Sequence, residues 1–229
     1  LNKSKKLGLP LLVALTMAIA MAAPSGASAS VGDPILFVHG WSGSASQFDG
    51  LKAKFASAGW SSSQLATLSY NTYTSNKTVA ASIKTAVDKL LAANPGKTKV
   101  DLISHSMGGM STRYYVENLG GLTKVKTYVS LAGANHGTNF AYLCALYGDP
   151  GCTEMIPGSA FLKALNAGDE TPGSINYATW WSPDDGIIIP ATSTPLAGAQ
   201  NTEVPGVAHN DEMNNPTISA GVLSYVTAH

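Results

Sequence analysis

Val100-Asp101-Leu102-Ile103-Ser104-His105-Ser106-Met107-Gly108-Gly109 is the stretch whose reading decides the fold. Its first half is a short apolar run of the kind a buried parallel strand provides. Its second half is a small-x-Ser-x-small turn leading into a helical pattern. Bulky side chains two residues either side of Ser106 would collide with the neighbouring strand and helix. Ser104 and Gly108 relieve that crowding, and the turn lifts the Ser106 hydroxyl clear of the backbone. The helix that follows aims its unpaired N–H groups at the same place, which suits a developing negative charge.

Outward from this turn the chain alternates between strand and helix patterns. Upstream, Pro34-Ile35-Leu36-Phe37-Val38 reads as a buried strand ending at His39-Gly40. Phe48, Leu51 and Phe55 then mark one face of a helix within 44–58, and residues 68–70 make a weaker strand. Thr78 is a candidate cap for a helix carrying Val79, Ile83, Val87, Leu90 and Leu91 inward, stopped by Asn94-Pro95-Gly96. Downstream, the helix after Ser106 runs to about Leu119, before Gly120-Gly121. Strands are predicted over 125–131, 174–180 and 202–207, and a last helix over 217–227. The pattern argues an α/β fold, a mostly parallel central sheet with helices on both faces. The segment 133–173, rich in Gly, Pro and Asn, breaks the rhythm and reads as an elaborated crossover beside the turn. No internal repeat or second domain is evident.

The first 29 residues read as a secretory signal: Lys3, Lys5 and Lys6, then an apolar stretch to Ala23, then Ala27-Ser28-Ala29 as a cleavage site. Residues 30–229 are then expected to form a single domain. That part carries fourteen acidic and eleven basic side chains, a formal charge of −3. No basic block points to nucleic acid. Cys144 and Cys152 are the chain's two cysteines, and export to an oxidising compartment predicts a bridge between them.

A serine nucleophile needs a base, and the base needs a carboxylate that fixes its tautomer. Among the histidines, His39 follows a strand and is suited to holding loop geometry. His105 adjoins Ser106, from which its side chain should diverge, and His136 can shape a cleft. His209, in Val204-Pro205-Gly206-Val207-Ala208-His209, leaves the carboxyl end of a predicted strand and is the candidate base. The acid is sought between serine and histidine. In Ser182-Pro183-Asp184-Asp185-Gly186-Ile187-Ile188, Asp185 is preferred over Asp184, because Gly186 gives a tight turn and the apolar run can shield a carboxylate–imidazole contact. Asp149, Asp169 and Glu170 read as loop charges. Candidate oxyanion donors are the backbone N–H groups of Met107 and Trp41, with Ser42 next. No Gly-rich run ends in Lys-Ser/Thr, which argues against a phosphate loop.

These pieces together resemble the lipase class 2 group of secreted bacterial lipases, especially the small Bacillus-type enzymes with a minimal α/β-hydrolase fold. The resemblance covers most of 33–229. It implies Ser106 as nucleophile, Asp185 as acid, His209 as base, and Trp41 and Met107 as oxyanion donors. It implies hydrolysis of acylglycerol esters through an acyl-enzyme, with no metal or organic cofactor. A lipid or other ester would be the partner, and a monomer is expected. The chain departs from the small Bacillus-type pattern at Ser104, where alanine is common, and in the Cys144–Cys152 segment, which those enzymes lack. Two competing readings are a short-chain or polyester-degrading carboxylesterase and a non-catalytic hydrolase-like binding protein. The retained Ser106, Asp185 and His209 weigh against the second.

Overall fold

In a computed structural model, Leu1 and residues 32–229 are described; the proposed signal lies almost wholly outside them. Six strands form one sheet: β1 (Ile35–Val38), β2 (Leu65–Leu68), β3 (Val100–His105), β4 (Val125–Leu131), β5 (Asn176–Trp181) and β6 (Gln200–Glu203). Their order is β2-β1-β3-β4-β5-β6, and every neighbouring pair is parallel. The chain steps outward from β1 to β2, then returns across β1 to place β3 on its other side. The order therefore reverses between β1 and β3. In open α/β sheets the crevice for ligands opens beyond the carboxyl ends of the strands at such a switch point. His39-Gly40 leaves β1 there, and Ser106 leaves β3.

Seven α-helices occur among the described residues: α1 (Asp49–Ser57), α2 (Asn76–Ala92), α3 (Met107–Asn118), α4 (Ala141–Ala145), α5 (Pro150–Met155), α6 (Ala160–Leu165) and α7 (Pro216–Ala228); α1 and α7 cover one face of the sheet and α2 and α3 the other. Successive strand residues point to opposite faces, and β1 shows the consequence. Ile35 and Phe37 pack with Leu51 and Phe55 of α1 and with Ile218 and Val222 of α7. Leu36 and Val38 pack with Val79, Ile83 and Val87 of α2 and with Tyr115 and Val116 of α3. Both faces of β1 are thus dry, which is why it reads as an unbroken apolar run. The edge strand β6 is polar (Gln200, Asn201, Thr202, Glu203) and mostly exposed, which keeps an open edge from recruiting another chain.

A third apolar cluster lies beyond the carboxyl ends of the strands. It joins Met107 and Met110 of α3 to Ala141, Cys144, Cys152, Met155, Phe161 and Leu162. The irregular crossover expected over 133–173 therefore folds as three short helices over a core of their own. Cys144 and Cys152 are bridged. The closed loop is short, so the entropic stabilisation is on the order of 2–3 kcal/mol. The buried Arg113 fastens α6 to α3, with Nη1 donating to Asn166 Oδ1 at 2.6 Å and Nη2 to Leu165 O at 3.2 Å.

Several boundaries differ from the sequence reading, among them β5, expected over 174–180 and found at 176–181. The strand expected at 68–70 lies at 65–68, because Gln64 and Leu65 are already buried while Tyr70 turns to cap a loop. The strand expected over 202–207 is β6 at 200–203; Pro205 and Gly206 belong to the loop beyond it. The cap of α2 is Ser75 rather than Thr78, its Oγ accepting from Lys77 N–H at 3.2 Å. The Glu154 carboxylate also caps that end, accepting from Ser75 Oγ and Asn76 N, each at 2.6 Å. An anion at a helix N-terminus is favourable, and this one docks α5 onto α2.

Candidate active site

Ser106 sits between β3 and α3 with φ 56° and ψ −130°. A non-glycine residue rarely occupies such backbone space, and holding it there costs on the order of 1–3 kcal/mol. Its neighbours enforce the conformation. A Cβ on Gly108 would meet the carbonyl oxygens of His39 and Val38 at 2.6 Å, and a Cβ on Gly40 would meet Ser106 Cβ at 2.6 Å. The backbone also clamps the turn, with Ser106 N–H donating to Leu131 O at 3.0 Å and Gly109 N–H to Ser106 O at 3.0 Å. Ser104 is small for the expected reason, fully buried with its Oγ donating to Val129 O at 3.0 Å.

Asp185 and His209 arrive on the loops after β5 and β6. His209 Nδ1 donates to Asp185 Oδ2 at 2.8 Å, with both side chains buried. The other oxygen, Oδ1, accepts from Ile187 N–H at 2.8 Å and Ile188 N–H at 2.6 Å. Three donors therefore converge on this carboxylate. The two loops are stitched further by His209 N–H to Asp185 O at 3.1 Å and by Val207 N–H to Ser182 Oγ at 3.2 Å. Asp184 accepts from Gly206 N–H at 2.7 Å; it braces the same loop from outside and makes no contact with an imidazole.

Ser106 and His209 line one cavity of about 240 Å³, together with Gly40, Trp41, Ser42, Phe140, Met155, Ile187 and Ile188. No hydrogen bond joins Ser106 Oγ to His209 Nε2. Such contacts are commonly long before a substrate or transition state tightens them. Neither the Trp41 nor the Met107 backbone N–H has a protein acceptor among the described residues. Met107 opens α3, so its N–H has no partner one turn back. Trp41 follows Gly40, whose bare Cα lets the chain approach Ser106.

Residues 32–222 match the family described as Lipase (class 2). The chain belongs to the class 2 lipases. Its fold is shared with Bacillus licheniformis lipase BlEst2 in mature form, at 18% identity and a TM-score of 0.72 over 86% of this chain and 92% of that one. It is shared with Aspergillus fumigatus lipase B, at 18% identity and a TM-score of 0.73 over 86% of this chain and 53% of the fungal one. Legionella pneumophila phospholipase PlaB aligns at 16% identity and a TM-score of 0.69, over 85% of this chain and 59% of its own.

Several residues of this class 2 lipase stand where the sequence reading did not place them. The side chains of Met107 and Trp181 do not line the cavity, and Met107 is fully buried in the third cluster. His136 is engaged elsewhere, between Ser193 O and Glu170. Asp149 is no loose loop charge. It is 6% exposed, caps α5 and accepts from the Trp41 indole at 2.6 Å. The Asp149-Pro150 pair, a cap followed by proline at the first helical position, carried that signal. His105 lines the same cavity as Ser106, and its Nε2 donates to the His209 carbonyl at 3.0 Å. Burial, then the neighbouring His209, holds the His105 imidazole well below the usual histidine value, so it is neutral. His39 is held lower by burial too; it stacks on Tyr70, whose hydroxyl donates to the His39 carbonyl.

The least anticipated group in this lipase is Glu212. It is fully buried, and neither carboxyl oxygen has a hydrogen-bond partner among the described residues. Burial, reinforced by the Asp185 charge, pushes its carboxyl up to about 9; the Ser182 and Ala132 N–H groups pull weakly the other way without forming hydrogen bonds. Glu212 is therefore protonated at neutral pH. A pH dependence of stability follows. The native state holds this proton longer than the unfolded chain, so its contribution is whole below about pH 4.5 and is lost as pH rises toward 9. Asp101 and Glu117 are raised by burial only to about 7, so Glu212 dominates these carboxyl contributions between pH 7 and 9. Denaturant unfolding of the native protein should lose about 1.4 kcal/mol per pH unit there. Glu212→Gln should flatten that slope; equal slopes in both proteins would refute a buried neutral acid.

Proposed function

We propose that this class 2 lipase is a secreted carboxylic-ester hydrolase that acts on acylglycerols through Ser106, His209 and Asp185. One observation carries the reading: a serine on a strained strand–helix turn opens into the same cavity as an imidazole whose far nitrogen is held by a buried carboxylate. With the proton of His209 fixed on Nδ1 by Asp185, Nε2 is left as the base. It takes the Ser106 proton as Oγ attacks the ester carbonyl. The Trp41 and Met107 N–H groups hold the developing oxyanion. His209 then gives its proton to the departing alcohol, leaving an acyl-Ser106. A water, deprotonated by His209, attacks this acyl-enzyme, and His209 passes the proton to the departing Ser106 Oγ as the acid is released. Secretion is supported by the basic-then-apolar start of the sequence and by the disulfide, which suits an oxidising compartment. Among the described residues no helix is long and apolar enough to cross a membrane.

The cavity walls Phe140, Met155, Ile187 and Ile188 favour an apolar acyl group. Its size, below the roughly 300–1,000 Å³ typical of pockets that enclose a whole small ligand, supports a second reading as a short-chain esterase. Initial rates on tributyrin, triolein and a soluble short-chain ester separate the two. Phe140 tests the acyl wall. Phe140→Ser removes contact worth about 1 kcal/mol, so the rate on triolein should fall roughly fivefold more than the rate on a butyrate ester. Equal losses with a lowered melting temperature would instead assign Phe140 to the third core. Leu143 and Leu146, also in this segment, are 58% and 82% exposed and lie outside the cavity.

A further inference from the structure

Resting on this reading of Trp41 as an oxyanion donor, we infer that Asp149 is a positioning residue, which fastens the oxyanion loop to the disulfide-closed segment through the Trp41 indole.

The loop 39–44 carries the proposed donor and bends sharply, with Ser42 at φ 54° and Gly43 N–H bonded back to Gly40 O at 3.2 Å. A loop of this kind needs outside support to hold one N–H at a fixed spot. Thr72 Oγ1 supplies part of it, accepting from Ser42 N–H at 3.1 Å. The Tyr70 hydroxyl, donating to the His39 carbonyl, and the Trp41 side chain supply more. The Trp41 Nε1–H donates to Asp149 Oδ2 at 2.6 Å. A buried carboxylate accepting from an indole is a charge-assisted bond, shorter and stronger than a neutral one. The opposite oxygen of Asp149 accepts from Gly151 N–H at 2.8 Å and so fixes the start of α5.

That start is itself immobilised. Asp149 lies inside the loop closed by Cys144–Cys152, and Cys152 is on α5. A Cβ on Gly151 would meet Thr74 O at 2.7 Å and Met107 Sδ at 3.1 Å, so the segment also abuts the residue offering the second oxyanion N–H. One carboxylate thus ties the Trp41 loop to the bridged α5 terminus, which itself abuts Met107. No other described acceptor takes the Trp41 indole.

Asparagine separates the two tasks of this carboxylate. It has one acceptor oxygen; if that oxygen keeps the α5 cap, its NH₂ faces the indole N–H and the bond is lost. Trp41→Phe removes the same bond from the other side and keeps most of the ring. Deleting an oxyanion donor outright costs about 10²–10³ in kcat; displacing one should cost less. Asp149→Asn and Trp41→Phe should each lower kcat roughly tenfold on a butyrate ester with KM nearly unchanged, and the double variant should be no worse than either. A purely structural Asp149 would instead lower the melting temperature and leave kcat alone, or give losses that multiply. Either result overturns the inference. Its failure is separable from failure of the catalytic reading by ¹H–¹⁵N spectra of the full protein. Asp149→Asn, or reduction of the bridge, should shift both the indole and the backbone amide resonances of Trp41. An unmoved backbone amide overturns the coupling whether or not esters are hydrolysed.

Discussion

Asp185→Asn is expected to lower kcat for ester hydrolysis about 10⁴-fold while leaving the fold intact. Asparagine is nearly isosteric, and its oxygen can still accept from the Ile187 and Ile188 N–H groups that now bind Oδ1 at 2.8 and 2.6 Å. The substitution therefore places an NH₂ group where Oδ2 now accepts from His209. Facing a donor, Nδ1 must become an acceptor, and the imidazole proton moves to Nε2. That nitrogen can no longer take the Ser106 proton. The loss should fall on kcat more than on KM, because the interaction matters once charge develops on His209. The neighbouring Asp184→Asn is the internal control. Its carboxylate is exposed and meets only the Gly206 N–H, which an asparagine oxygen can satisfy. Surface changes of this kind are worth about 0.5 kcal/mol, so its rate should stay within about twofold of the parent. Steady-state kinetics of the two variants decides; a crippled Asp184→Asn beside an active Asp185→Asn would reverse the assignment.

What was legible in the sequence was whatever depends on local pattern. The run at 100–104 carries Val100, Leu102 and Ile103 because β3 is central and covered on both faces, and Ser104 and Gly108 are small because the Ser106 turn leaves no room. Ser182-Pro183-Asp184-Asp185 and the loop to His209 could be paired by their chain order, and the structure places them in contact. What escaped was whatever depends on tertiary partners. Asp149 looks like a loop charge until Trp41, more than a hundred positions away, is folded against it. Glu212 follows His209 by three residues in a polar stretch, and nothing local reveals that it is fully buried. The segment 133–173 looked irregular because its helices are too short to show a period. Their core forms against α3 and across the bridge rather than along one face. The edge strands β2 and β6 shifted for a related reason: a strand paired on one side only has a weaker apolar signature.

The account stands or falls on Ser106 as the nucleophile. The most direct measurement is covalent labelling with a phosphonate ester, read by intact mass and peptide mapping alongside hydrolysis of a p-nitrophenyl butyrate control. Ser106 Oγ and His209 share the cavity, and the proposed mechanism has His209 remove the Ser106 proton and the Trp41 and Met107 N–H groups receive the charged oxygen. One phosphonyl group per chain is expected, on the peptide containing Ser106, with activity falling in step. Ser106→Ala should take no label and lose about 10⁶ in kcat with an unchanged melt. Stoichiometric label on another residue, or hydrolysis that persists in Ser106→Ala at a comparable rate, would contradict it.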